Sequence, residues 1–138
     1  MLLLDTNIAS YLMRRDVPLV SERFATALRL NESVHLSAIV YAELQFGVIH
    51  AVSPRRQSAL RHDLSTLAEM VSVLAWPVEA AAHFAMIRSR LAKAGNTIGY
   101  MDALIAAHAL ALNATVVTNN EKEFRRVPGL NVENWTKK

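Results

Sequence analysis

Apolar residues in this chain fall into short unbroken runs that alternate with longer stretches at helical spacing. Leu2-Leu3-Leu4, Val34 to Leu36, Val71 to Leu74 and Thr115-Val116-Val117-Thr118 read as buried strands, and Asn131 to Glu133 as an edge strand. Between them, polar residues mark helix starts. Asp5-Thr6-Asn7 supplies capping side chains for a helix through Tyr11 and Leu12, and Pro18 suits the first position of a second helix running towards Leu30. Ser37 can cap the helix beginning Ala38-Ile39-Val40, and Ser53-Pro54 opens one through Leu64 and Leu67. Pro77 opens a long amphipathic helix ending near Gly95, and Asp102 to Leu112 is apolar nearly all round, the mark of a helix buried on most sides. Strands alternating with helices predict an α/β sandwich with a mainly parallel central sheet flanked by helices. No repeat, linker or low-complexity run interrupts the pattern, so residues 1–138 read as a single domain.

In such sheets ligands bind beyond the carboxyl ends of the strands. Asp5 and Asn119-Asn120 stand just past two strand ends, and two further acids occupy unusual places. Glu43 has Ile39, Val40, Phe46 and Gly47 as its helical neighbours, which puts a carboxylate on an apolar face expected to point inward. Asp102 opens the apolar helix. Each has a plain structural explanation: a buried ion pair for Glu43, an offset to the helix dipole for Asp102, an N-cap for Asp5. Together they suggest more, because acids converging on one crevice repel each other unless a cation joins them. Carboxylates and water suit Mg²⁺ or Mn²⁺ rather than Zn²⁺, and the chain has no cysteine. A metal held this way promotes phosphodiester hydrolysis.

Composition narrows the alternatives. Fifteen Lys and Arg against 12 Asp and Glu give a net charge of +3, a mild excess that leans towards a polyanionic partner. Without cysteine there is no disulfide framework, thiolate metal site or thiol nucleophile, which suits a cytoplasmic protein. Met1-Leu2-Leu3-Leu4 runs directly into Asp5 with no basic segment before it, so neither a secretory leader nor a membrane partner is expected. Four glycines leave little material for a phosphate-binding loop, and no G-x-S-x-G or H-E-x-x-H occurs. His108, on the apolar helix, reads as a hydrogen-bonded core residue, and Trp76 and Trp135 as packing anchors.

Several short motifs, taken in order, carry a resemblance to a known family. They are Leu4-Asp5-Thr6-Asn7; Leu36-Ser37 followed by Glu43-Leu44 and Gly47; Ile98-Gly99 to Asp102 running into Leu104-Ile105-Ala106-Ala107-His108-Ala109; Val117-Thr118-Asn119-Asn120; Glu123-Phe124; Arg126-Val127-Pro128-Gly129-Leu130; and Glu133-Asn134-Trp135. Over essentially its whole length the chain resembles the PIN-domain ribonucleases, in particular the VapC toxins of toxin–antitoxin pairs. The resemblance implies a PIN-like three-layer sandwich and a metal-dependent endoribonuclease. It makes Asp5, Glu43 and Asp102 the metal-binding acids, with Thr6 and Thr118 in support. Where many PIN domains carry a fourth acid, this chain has Asn120 or Asn119, with Glu121 as a possible substitute, so the expected catalytic set is Asp5, Glu43, Asp102 and Asn120.

The resemblance further implies a homodimer and a VapB-type antitoxin whose tail blocks the site, with DNA contacted only through that antitoxin. The Thr-Asn-Asn and Arg-Val-Pro-Gly-Leu segments resemble those of the subgroup that cuts initiator tRNA in its anticodon stem-loop. Basic side chains among Arg14, Arg15, Arg88 and Lys93 are expected to hold the RNA backbone. Two rival readings are weighed against this one. A metal-dependent phosphatase with an aspartyl nucleophile usually needs a second acid where Asn7 stands, and a catalytically silent PIN-fold binding module would lack the acids.

Overall fold

Five short strands form the scaffold of the computed structural model, which describes residues 1–138: β1 (Leu2–Leu4), β2 (Val34–Ser37), β3 (Ser72–Leu74), β4 (Thr115–Val117) and β5 (Asn131–Glu133). They lie in the order β3-β2-β1-β4-β5, and every neighbouring pair is parallel. Leu3 pairs with His35 on one side and Val116 on the other. All three leucines of β1 are buried, as are Leu36, Val116 and Val117, so both sheet faces are covered. That explains why the central strands are unbroken apolar runs and do not alternate. The edge strands β3 and β5 carry exposed Ser72, Asn131 and Glu133.

Seven helices complete the chain: α1 (Thr6–Arg14), α2 (Pro18–Arg29), α3 (Ala38–Ile49), α4 (Pro54–Met70), α5 (Ala80–Lys93), α6 (Tyr100–Leu112) and α7 (Glu121–Phe124). The expected caps form. Asp5 Oδ1 accepts from the Ile8 amide at 2.9 Å, Ser37 Oγ from that of Ile39 at 3.2 Å and Ser53 Oγ from that of Arg56 at 3.1 Å. Pro18 and Pro54 occupy first turns, where a missing amide proton costs nothing. Asn113 ends α6 in the left-handed conformation at φ 53°.

The differences from the sequence expectation are local. The Pro77 carbonyl accepts the Ala80 amide at 3.0 Å in a tight turn, so α5 starts only where Ala80 enters the core. Val71 closes α4 through its amide on Leu67, which leaves β3 to begin at Ser72. The turn of α7 is not anticipated, because four residues are too few to show a helical period.

Two features of the packing position the site. Buried Ala103, Ala106, Ala107 and Ala109 make α6 a slim rod within the core. On it, His108 is 1% exposed and its Nδ1 lies 2.8 Å from Ser37 Oγ, tying α6 to the end of β2. Burial holds the His108 imidazole below the usual histidine range, so this core residue is neutral. Trp76 Nε1 donates to the Leu104 carbonyl at 3.0 Å, and Trp135 is buried with Nε1 on Glu133, the packing roles expected of both. No helix is long and apolar enough to cross a membrane.

Candidate active site

The sheet order reverses direction between β1 and β4: the chain builds outward through β2 and β3 on one side, then through β4 and β5 on the other. Connections diverge there and leave a crevice at the carboxyl ends. Asp5 follows β1 and Thr118 follows β4, so both open onto it. Thr118 Oγ1 donates to Asp5 Oδ2 at 2.5 Å, while Asp5 Oδ1 caps α1. Asp5 is only 4% exposed.

Above the crevice lies a cavity of about 300 Å³ lined by Asp5, Thr6, Asn7, Glu43, Tyr100, Asp102 and their neighbours, including Asn120. Glu43 reaches it from α3, and Thr6 Oγ1 donates to its Oε1 at 3.2 Å. Asp102 reaches it from the first turn of α6, which Gly99 introduces. Asn120 Nδ2 donates to Asp102 Oδ2 at 3.3 Å and to Glu123 Oε2 at 3.0 Å, bridging two carboxylates. All four expected site residues therefore share one cavity.

Burial and mutual repulsion both act on the acids of this cavity. Burial is the largest influence on Asp5 and raises its pKa, as does the Glu43 charge, while hydrogen bonds from Thr118 and Ile8 oppose the rise. Asp102 is pushed up to about 7, first by burial, then by hydrogen bonding with Glu123 and by the charges of Glu123 and Asp5. No Lys or Arg forms an ion pair with any of these acids, since the two ion pairs in the chain are Arg14–Asp16 and Lys137–Glu121.

The structure sorts the alternatives left open around residue 120. Asn119 turns away: its Nδ2 donates to Tyr11 Oη at 2.9 Å, and its Oδ1 accepts from Asn7. Glu121 pairs with Lys137 at 3.0 Å, which holds its carboxyl below the usual range, and it is absent from the cavity wall. The acid beside Asp102 is Glu123, which sequence reasoning placed in a motif but not in the site. Its signal was the spacing: Asn120 stands at the N-cap position of the short helix, without a side-chain cap, and Glu123 is the helix's third residue, a distance that brings the two side chains together. Glu43 also departs from expectation. It is half-buried and its neighbour Phe46 is 65% exposed, because only the Val40, Leu44 and Val48 stripe of α3 enters the core. Asn7 lines the cavity and bonds to Asn119, so no second acid stands where an aspartyl phosphatase needs one.

The donor set tests which cation fits. Every candidate ligand is oxygen, yet no three of these acids are placed to grip one ion directly. Of the divalent ions, Mg²⁺ asks least of such a set, because it takes one or two carboxylates and keeps water in the rest of its shell.

Comparison with known proteins agrees with this geometry. The PIN-domain family matches residues 2–130. The chain is 36% identical to the ribonuclease VapC2 of Rickettsia felis over 135 residues, 98% of each chain. It is 34% identical to the tRNA(fMet)-specific endonuclease VapC of Salmonella typhimurium over 134 residues, 96% of each. The fold superposes with a TM-score of 0.89 on a chain from the crystal structure of VapBC2 from Rickettsia felis bound to a promoter DNA fragment, at 33% identity, covering 97% of this chain and 98% of that one.

Proposed function

The chain belongs to the PIN-domain family, among its VapC ribonucleases, and from that premise we propose that it is the toxin of a VapBC pair, a Mg²⁺-dependent endoribonuclease acting in the anticodon stem-loop of initiator tRNA. The observation that carries this reading is the cavity uniting Asp5, Glu43, Asp102 and Asn120 with no cationic side chain to neutralise them. The substrate follows the tRNA(fMet)-specific relative.

Asp5 and Asp102 would hold the metal, with Glu43 joining the site through water; Mn²⁺ has the same preferences. When bound, the ion supplies neutralisation of charge developing on the phosphoryl oxygens and a lowered pKa for water. The side chains do the rest. Thr118 and the Ile8 amide fix both Asp5 oxygens, so this carboxylate is pre-set for one geometry. Thr6 holds Glu43 Oε1 and leaves Oε2 to orient the attacking water and accept its proton. Asn120 donates to both Asp102 and Glu123, adding a hydrogen-bond donor where another acid would add charge.

The partner is a VapB-type antitoxin, by analogy with the Rickettsia felis VapBC2 complex bound to promoter DNA. Phe46, Ile49 and Val52, at and just past the end of α3, are exposed apolar side chains suited to protein contacts, either with the antitoxin or within a homodimer. DNA is contacted through the antitoxin. Incubating the protein with total bacterial tRNA, with Mg²⁺ or with EDTA, and mapping the 5′ ends of the fragments tests the reading. The expected result is one dominant, Mg²⁺-requiring cut in the initiator anticodon loop. Metal-dependent cuts spread over many RNAs overturn the substrate and keep the nuclease; no cleavage overturns both.

A further inference from the structure

Tyr100 belongs to two depressions at once. It lines the acid cavity, and it lines a mainly apolar cleft between α5 and α6 whose wall includes Arg88, Leu91 and Ile98. The residue is 57% exposed and is the outermost member of an aromatic row packed against the core. Trp76, pinned to the Leu104 carbonyl, meets Phe84 edge to face at 6.5 Å, and Phe84 meets Tyr100 at 5.3 Å. The row holds Tyr100 in place two residues before Asp102. Arg88 lies over the Tyr100 ring, 4.6 Å from its centroid, and has no carboxylate partner. Tyr100 thus presents a largely exposed aromatic residue beside a guanidinium that no carboxylate claims, at the edge of the acid cavity, and the metal chemistry uses neither group.

We propose that Tyr100 and Arg88 form a nucleotide platform beside the acids: an unpaired RNA base stacks on Tyr100 while Arg88 takes an adjoining phosphate. This deepens the ribonuclease reading and rests on it. Aromatic faces bind unstacked bases of any sequence, and Arg adds charge and planarity to such a surface. The platform therefore selects looped over paired RNA at the point of cutting, because a base already stacked in a duplex cannot reach it. Both residues bind the substrate and leave the bond-breaking to the acids.

The test uses an initiator anticodon stem-loop RNA carrying 2-aminopurine in the loop beside the cut, with binding read in Ca²⁺ and cleavage in Mg²⁺. Wild-type protein should change the fluorophore's emission as the base stacks. Tyr100→Ala should lose that change, weaken binding roughly 10-fold, the size of one lost stack, and raise KM more than it lowers kcat. Tyr100→Phe should restore all three. Arg88→Gln should lower the slope of log affinity against log salt by about one contact, and a duplex of the same sequence should show no loss with either variant. Wild-type cleavage together with unchanged binding by Tyr100→Ala, or equal damage from Tyr100→Phe, overturns the platform alone. Wild-type protein that neither binds nor cuts RNA overturns the ribonuclease reading and the platform with it.

Discussion

Asp5 uses its two carboxylate oxygens for different ends, one capping α1 and the other receiving Thr118. The capping and the catalytic readings of this residue are therefore both satisfied, and substitution separates them. Asn keeps an acceptor for the Ile8 amide but removes the charge; Ala removes both. Asp5→Asn should fold with near-native stability and lose cleavage by more than roughly 100-fold, beyond what losing a supporting residue around a metal costs. Asp5→Ala should in addition lose about 1 kcal/mol for the cap and about 1 kcal/mol more for the Thr118 hydroxyl proton, which loses its acceptor while its oxygen keeps the Asn120 amide. Urea melts beside cleavage assays check both.

Asp102 carries a pH signature. It keeps a proton to about pH 7 in the folded, metal-free protein, whereas the unfolded chain releases it near pH 4. The folded state thus binds more protons across that interval, and stability falls as pH rises through it. His108, held low by burial, acts the opposite way below its ordinary range. The difference between wild type and Asp102→Asn isolates the acid. In EDTA the variant should gain stability relative to wild type as pH climbs from 4 to 8; a constant difference would contradict the crowding of Asp102 by Glu123 and Asp5.

At the scale of elements, Ser37 joins three pieces: it ends β2, caps α3 and receives His108 from α6. Ser37→Ala leaves a buried imidazole nitrogen without its partner and an uncapped helix. The expected loss is about 1–3 kcal/mol, seen as a lower urea midpoint with an unchanged slope. Such junctions were legible in part. The cap at Ser37 and the buried histidine can each be read from sequence, because capping chemistry and helical period are local. Their meeting cannot, since it depends on how far α6 slides along the sheet. The same limit explains Glu123. Its spacing from Asn120 is plain in the sequence, but Asp102 approaches that pair only through the fold. Glu43 shows the reverse error: apolar neighbours three and four residues away suggest an inward charge, whereas α3 leaves Phe46 and Ile49 in solvent.

For the whole molecule, the alternation of strands and helices announced a parallel sheet, and the order β3-β2-β1-β4-β5 supplied the missing term, the point where the connections diverge. No local pattern encodes that order, yet it is what brings an acid after β1, an amide after β4, and acids from α3 and α6 into one cavity. Metal-assisted RNA hydrolysis at this cavity is the central claim. Its most direct measurement is the initial rate of cleavage of a fluorescent anticodon stem-loop RNA as Mg²⁺ is titrated, for wild type and for folded Glu43→Gln and Asp102→Asn. The wild-type rate should rise saturably with Mg²⁺, and both variants should be slower by at least roughly 100-fold at any Mg²⁺ concentration. Cleavage that persists in EDTA, or an Asp102→Asn protein cutting at the wild-type rate, would contradict it.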